Sequence, residues 1–467
     1  MMPQERYKKL KEYLSAENPV LLDVISRYEA LDKIGHSIGF ITPDETYTSH
    51  ISWWPMISIL GTFSAGKSTF INDYVGANIQ QSGNQAIDDK FTVICYGKNG
   101  EPVTLPGLAL DADPRFPFYN ISEEVNRVDP GEGNRVNLYL QLKTLKSKRL
   151  KGKILIDSPG FDADSQRDGI LRMTNHIVEM SDLVLIFFDA RHPEPGAMRD
   201  TLEHLVATTI RHRDANKALY ILNQIDTTAK EDNLEDVIGS WQRALSKEGL
   251  ISGNFYAIYN EGSAVPIEDK ALSDRLKGKK DTDLAAIMDR MDKVGIERAY
   301  RIIKSLEDFA KEMKETKLHL LQQALQSWNR KVLWSDLILF TILAVLSGML
   351  QLKFNAFDSL FDSQTSIIVT SAVAVVILFG IHLKIRGFFA RRLARHWEDE
   401  DYAVSKAITH NTRWWNSMFS FNRKGWNKRS KAKLDEIMTD SRASIQKLND
   451  QFVSPSGTAK EREDEKN

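Results

Sequence analysis

Nine residues beginning at Gly61, GTFSAGKST, carry the spacing G-x-x-x-x-G-K-[ST]. That spacing suits a loop that wraps phosphate. Gly61 and Gly66 permit backbone dihedrals that turn several N–H groups inward as a nest for phosphate oxygens. The Lys67 ammonium reaches β- and γ-phosphates, and the Ser68 hydroxyl is placed to ligate Mg²⁺. Ser64, Ala65 and Thr69 complete the set of loop residues expected at the nucleotide. A helix opening at about Ser68 would aim its positive end at the same charge.

Two shorter motifs follow in chain order. KILIDSPG at 153–160 ends an apolar run with D-x-x-G. Asp157 is thereby placed to bind the Mg²⁺ shell, directly or through water, and the Gly160 N–H to meet a γ-phosphate. ALYILNQID at 218–226 ends another run with N-x-x-D. Asp226 would accept from N1–H and N2–H₂ of guanine, a donor pair that adenine lacks, and Asn223 would tie this loop to the phosphate loop, with Gln224 between them. A turn after a strand would explain either motif alone. The three in this order, about 90 and 70 residues apart, form a nucleotide-site signature.

Such motifs need strands that end at one edge. Short Ile/Val/Phe/Tyr-rich runs stand at 56–60, 91–96, 136–142, 153–156, 183–188, 218–222 and 255–259, with helical stretches between them. Buried parallel strands flanked by helices read this way, so the expected class is α/β, with a mixed, mainly parallel sheet. Proline divides the chain: 13 of its 14 prolines lie at or before Pro266, and the next is Pro455. The ring clash and missing N–H keep proline out of helix interiors, so the second half is predicted to be mostly helical. Residues 5–34 are also helical in spacing (Leu10, Leu14, Leu21, Leu22, Ile25, Leu31). Between Gly295 and Gly348 apolar residues recur at Ala299, Ile302, Leu306, Phe309, Met313, Leu320, Ala324 and Trp328, mostly three or four apart with one gap of seven, as in an amphipathic stalk.

That stalk leads into two apolar stretches, 332–352 with Asp336 as its one charge, and 365–383 with no formal charge. Each is about long enough to cross ~30 Å of hydrocarbon. A pair of buried core helices, or a hairpin that dips in without crossing, would also fit their composition. Arg330 and Lys331 precede the first stretch, and Lys384, Arg386, Arg391, Arg392 and Arg395 follow the second. By the positive-inside rule both ends face the cytoplasm. Phe354, Phe357, Leu360 and Phe361 in the intervening loop could lie at the far interface. Residues 413–433 (RWWNSMFSFNRKGWNKRSKAK) interleave aromatics with cations, which suits an anionic lipid surface, single-stranded nucleic acid, or packing on the stalk.

Composition sets the outer bounds. The 467 residues carry 62 Lys+Arg against 63 Asp+Glu, a net charge of -1, which excludes a uniformly basic nucleic-acid binder. The total conceals a block: residues 384–433 hold 13 Lys/Arg and four acids, a local +9, so the remainder sums to -10. The single cysteine, Cys95, excludes a disulfide framework within the chain and a Cys-based zinc site. The charged, amphipathic first 30 residues show no apolar core of a cleavable signal.

The stretch 56–262 resembles the dynamin superfamily of large GTPases, and within it the EH-domain-containing ATPases and sarcalumenin. The shared runs are GKSTFIN, FTVICYG, DPRFPF, DSPGF and LIFFDARH. The resemblance implies that Ser64 helps neutralise charge between phosphates, and that Ser64, Lys67 and Gly160 serve hydrolysis of GTP with Mg²⁺. It also implies a helical bundle built from residues 5–34, 283–330 and 384–450, and pairing of nucleotide domains into a homodimer or larger homo-oligomer. A membrane hairpin at the stalk's end resembles the plan of mitofusins and bacterial dynamin-like proteins. The expected layout is an N-terminal helical segment to residue 50, the nucleotide domain at 51–282, a stalk at 283–331, the hairpin at 332–383, a basic helical segment at 384–454 and a disordered tail. Two departures stand out. Where the family has a switch I Thr, GNQAIDDKF offers Ile87 or Asp88, with Thr92 as a nearby substitute; Gln224 replaces the usual Lys of N-K-x-D. ATP in place of GTP, and a switch that scarcely hydrolyses, both follow as alternatives.

Overall fold

Six of the seven apolar runs read as strands coincide with strands, the seventh overlaps one in part, and a further strand joins them: β1 (Met56–Gly61), β2 (Phe91–Tyr96), β3 (Val103–Pro106), β4 (Leu140–Leu145), β5 (Ile154–Asp157), β6 (Leu183–Asp189), β7 (Ala218–Asn223) and β8 (Asn254–Ala257). The computed structural model describes residues 3–17, 19, 21–62, 64–81, 90–110, 115, 139–159, 167–193, 217–247, 250, 253–354, 364–416, 418 and 426–452. The helices are α1 (Pro3–Glu17), α2 (Leu21–Ile38), α3 (Lys67–Val75), α4 (Arg167–Met180), α5 (Leu234–Lys247), α6 (Lys270–Glu312), α7 (Leu318–Phe354), α8 (Gln364–Glu398), α9 (Tyr402–Asn411) and α10 (Lys428–Phe452). The chain forms two compact units. One comprises residues 1, 8–21 and 49–302, the other 2–7, 22–48 and 303–467.

The first unit is built on one mixed sheet of order β3-β4-β2-β5-β1-β6-β7-β8. Its pairings are parallel except β2 with β5 and β3 with β4. The central strands β1, β6 and β7 are buried along their whole length, which is why their sequences are continuously apolar rather than alternating. One face packs Ile57, Ile59, Ile94, Leu155 and Phe187 against α3 and against Ile287, Met291 and Val294 of α6. The other packs Val184, Ile186, Phe188 and Leu222 against Val178 of α4 and Trp241 of α5.

Of the run at 136–142, residues 136–138 lie outside the described residues, and the strand begins at Leu140. Strand β4 spans Leu140–Leu145 because its pairing with β2 matches Phe91 to Leu140 and Tyr96 to Leu145. The added strand β3 is short, largely exposed and ends in Pro106, which a sheet tolerates only where its missing N–H is not needed. In-register pairing of Ile59 with Asp157 and Gly61 with Phe187 aligns the carboxyl ends of β1, β5 and β6. From β1 the chain goes on to β2 on one side of the β5–β1 pair and from β5 to β6 on the other, so those ends form a topological switch point, where open α/β sheets bind ligands.

In the second unit, helix α2 is joined to α10 by Arg27, whose Nη1 donates to the Asp440 carbonyl at 3.0 Å and to the Ser444 hydroxyl. Arg442 pairs with Glu307 at 2.9 Å and Lys314 with Asp435 at 2.5 Å. Ion pairs such as these, each with one partner in solvent, are worth about 0–1 kcal/mol apiece. The larger share comes from fully buried side chains such as Leu306, Val404, Ile408, Leu434 and Ile437, at roughly 1.5–3 kcal/mol apiece. The gap of seven in the stalk pattern has a structural cause. Met313–Lys317 is a turn of π-helix, so the buried face passes from Met313 to Leu318, five residues on, and Leu320 is only half-buried.

Helices α7 and α8 contain the two apolar stretches and are long and apolar enough to cross a membrane. Their apolar side chains are exposed, Met349 at 62% and Val376 at 70%, so they are not core helices of the fold. They pack antiparallel: the Trp328 indole donates to the Arg386 carbonyl at 3.2 Å, and two turns further along α7 His382 Nδ1 meets Asp336 Oδ2 at 2.7 Å. The loop that joins them, with Phe357, Leu360 and Phe361, lies outside the described residues.

Candidate nucleotide site

The phosphate loop leaves β1 at Gly61 and enters α3 at Lys67, one residue before the expected start. Gly66 caps that helix with φ +85°, a left-handed conformation that disfavours a side chain. A Cβ there would also stand 2.2 Å from Asn223 Nδ2. Gly66→Ala is therefore expected to destabilise the ligand-free protein by at least about 1–2 kcal/mol, read as a lower midpoint in thermal unfolding. A Cβ at Gly61 would meet the Phe187 carbonyl at 2.8 Å, so β1 and β6 can approach here only over glycine.

Lys67 is buried, and its ammonium donates to the carbonyls of Gly61 at 3.0 Å and Thr62 at 3.3 Å. Burial pushes this lysine below its ordinary range, and the nearby Asp157 carboxylate opposes the shift. Ser68 and Thr69 lie half-buried in the first turn of α3, and Ala65 is fully buried beneath the loop. Ser64 takes a positive φ of 60° at the loop's tip.

Two side-chain amides from the end of β7 clamp this loop. Asn223 Nδ2 donates to the Ala65 carbonyl at 2.9 Å, the tie the N-x-x-D motif predicts. Gln224 Nε2 donates to the Ser64 carbonyl at 2.6 Å from a residue that itself has φ 66°. The second contact was not expected; nothing in the sequence places a Gln two carbonyls from a loop 160 residues earlier. Asp226 is buried, and its Oδ2 accepts the Val265 N–H at 2.8 Å. Arg191, from LIFFDARH, lies on Asp189 with Nε 3.0 Å from both carboxylate oxygens; that bond holds its guanidinium above the usual range.

Asp157 sits at the end of β5, buried, with Gln80 Nε2 donating to its Oδ2. Gln80 is held in turn. Lys143 Nζ donates to its Oε1 and to the Ile79 carbonyl at 3.1 Å, while Asn72 Oδ1 accepts the N–H groups of Ile79 and Gln80 at 3.0 and 2.9 Å. An ammonium can only donate, so Lys143 forces the Gln80 carbonyl toward itself and the amide N–H toward Asp157. Asn72, Gln80 and Lys143 escape motif reading because no spacing marks them; only the alternation that puts Lys143 and Asp157 on one face of the sheet could have pointed to Lys143. Lys143→Met leaves two buried oxygens without their donor and is expected to cost about 1.5–3 kcal/mol in a denaturant titration.

A hydroxyl and a carboxylate suit the hard Mg²⁺ ion, so the donor set of Ser68 and Asp157 fits it. Among the described residues no cluster of three His, Cys, Asp or Glu could hold a metal by itself. Gly160, Ile87 and Asp88 lie outside the described residues. Thr92 is wholly buried in β2, paired in register with Asp157, and its Oγ1 accepts from Gln141 at 2.7 Å, so it belongs to the sheet rather than to a loop over the phosphates.

Residues 57–224 match the Dynamin family. EH domain-containing protein 2 of Rattus norvegicus is 26% identical over 203 residues, which cover 41% of this chain and 34% of that protein. EH domain-containing protein 1 of Homo sapiens matches with the same identity and coverage. The match thus spans about a third of the length of these curated relatives. A solved chain from "An oligomerised bacterial dynamin pair provides a mechanism for the long-range sensing and tethering of membranes" aligns over 95% of this chain and 78% of its own, with 13% identity and a TM-score of 0.33. The matched residues hold the phosphate loop, Asp157 and Asn223 on the mixed sheet, so this part of the chain resembles the Dynamin family.

Proposed function

We propose that this chain is a membrane-anchored nucleoside triphosphatase that hydrolyses GTP to GDP and phosphate and couples nucleotide-dependent pairing of its nucleotide domains to tethering, fusion or other remodelling of a bilayer. The observation that carries the reading is one chain with a clamped phosphate loop and two exposed, membrane-length helices. Lys67 would exchange its two carbonyl partners for phosphate oxygens, and the Asn223 and Gln224 amides would keep the loop open for them. Ser68 and Asp157 would hold Mg²⁺, which supplies charge neutralisation at the phosphates. Asp226 favours guanine, with one carboxylate oxygen already accepting from Val265. Ser64 and Gly160 are assigned to charge stabilisation at the reacting phosphate on the family resemblance. The nucleotide domain at 51–282, the stalk at 283–331 and the basic segment at 384–454 would face the cytoplasm, with the hairpin at 332–383 in the bilayer.

A second reading, a nucleotide-switched scaffold with little hydrolysis, is favoured by the missing switch I Thr and by the position of Thr92 in the sheet. Single-turnover phosphate release from GTP and from ATP, with and without liposomes, separates the two. Lipid-stimulated release from GTP is the expected result. Tight nucleotide binding with no release under either condition selects the scaffold, and faster release from ATP overturns the guanine assignment.

A further inference from the structure

The second unit carries two adjacent tryptophans whose rings are exposed, Trp414 at 65% and Trp415 at 54%. Their rings stand edge to face with centroids 5.6 Å apart, and the Arg413 guanidinium lies 5.4 Å from the Trp415 ring. Indoles left in water are costly in apolar surface, yet this segment is held firmly. Arg386 is buried, with Nη2 donating to the Arg413 carbonyl at 2.9 Å and to the Asn416 carbonyl. Asn329 Nδ2 donates to the Met418 carbonyl at 3.1 Å, and Met418 packs with Trp328, Val332 and Ala390. The Arg386 guanidinium also lies 5.2 Å from the Trp328 ring.

These anchors share one level along the helix pair. The apolar stretches begin at Val332 and end at Leu383, so Trp328 and Arg386 lie about one turn outside them, roughly 5–6 Å at 1.5 Å per residue. That is the depth at which lipid headgroups meet hydrocarbon, where an indole buries its ring and keeps its N–H hydrated. Lys384 on α8 stands near the same level, and Arg391 and Arg392 follow about 8–9 Å beyond Arg386 at 1.5 Å per residue.

We propose that Trp414 and Trp415, with Arg413, form an interfacial anchor that inserts into the anionic headgroup layer of the membrane carrying α7 and α8, and that Arg386 is the clamp that holds it there. The proposal rests on the membrane-hairpin reading. It adds a surface that sets the depth of the hairpin and is not part of it.

The test uses the full chain reconstituted in phosphatidylcholine–phosphatidylglycerol vesicles whose phosphatidylcholine is brominated at acyl positions 6 and 7. Tryptophan emission is compared between wild type, the double variant Trp414→Phe/Trp415→Phe, and Trp334→Phe, since Trp334 stands inside the first apolar stretch and reports insertion. The wild-type-minus-double-variant emission is expected to be quenched at least twofold by the brominated lipid. An unquenched difference for this pair, alongside a quenched difference for Trp334, overturns the anchor and leaves the hairpin standing. No quenching of either, with the protein released by alkaline carbonate, removes the hairpin reading and the anchor with it. A pair that is shielded only at high protein density, independent of bromination, assigns the rings to a second copy and likewise overturns the proposal.

Discussion

Lys67→Ala is expected to abolish nucleotide binding, with the Kd for a fluorescent GTP analogue weakened at least about 100-fold in equilibrium titration. A charge-assisted hydrogen bond is worth about 1.5–3 kcal/mol, and about 2.7 kcal/mol corresponds to a hundredfold. Lys67 meets a stricter condition than an exposed cation. Its ammonium is buried and held on two loop carbonyls, so it is in place before phosphate arrives and loses little further freedom on binding. Lys67→Arg should fail to rescue, because a planar guanidinium cannot occupy the compact position between the Gly61 and Thr62 carbonyls. The effect should be equal for GTP and ATP, since the contact is to phosphate. Asp226→Asn, by contrast, should reduce the preference between bases while leaving phosphate affinity nearly intact. Wild-type turnover by Lys67→Ala would remove the nucleotide assignment altogether.

The second large effect concerns the apolar helices. At 1.5 Å per residue the stretches 332–352 and 365–383 measure about 31 and 29 Å, close to the ~30 Å of a hydrocarbon core. Ile342 and Val376 lie near their midpoints, and both are exposed. An arginine at the centre of an inserting helix costs roughly 2.5–3.5 kcal/mol on insertion scales, so Ile342→Arg with Val376→Arg opposes insertion by roughly 5–7 kcal/mol. Wild-type protein is expected to stay in the pellet after alkaline carbonate extraction, and the double variant to move to the supernatant. Nucleotide binding by the variant should be unchanged, because every residue of the phosphate site lies in the other compact unit. Complete extraction of the wild type would sink the membrane reading without touching the nucleotide site. The Asp336–His382 pair does not weaken the prediction, since His382 Nδ1 meets Asp336 Oδ2 across the helix pair, near the positively flanked ends.

The two halves of the molecule were legible in the sequence to different degrees. Strand-length apolar runs mark β1, β2 and β5 to β8 because a strand covered on both faces must be apolar at every position, and that requirement is local. The phosphate loop is legible for the same reason: Gly61, Gly66 and Lys67 act within one turn of chain, and backbone sterics select glycine there whatever the rest of the fold does. β3 is not legible, since four largely exposed residues ending in proline become a strand only through the edge offered by β4. The π-turn left a trace, a gap of seven, that spacing alone could not interpret.

By itself the sequence determined the spacing of the phosphate loop, the class of sheet and the presence of two stretches that water cannot solvate comfortably. It did so because those properties depend on residues within a few positions of one another. Only the tertiary structure decided that Gln224 joins Asn223 in clamping the loop, that Lys143 orients Gln80 toward Asp157, and that Arg386 fixes the Trp414–Trp415 segment at the base of the apolar helices. Each of those contacts joins residues 27 to 160 positions apart. Their hydrogen bonds are set by strand register and helix packing, which no local spacing encodes.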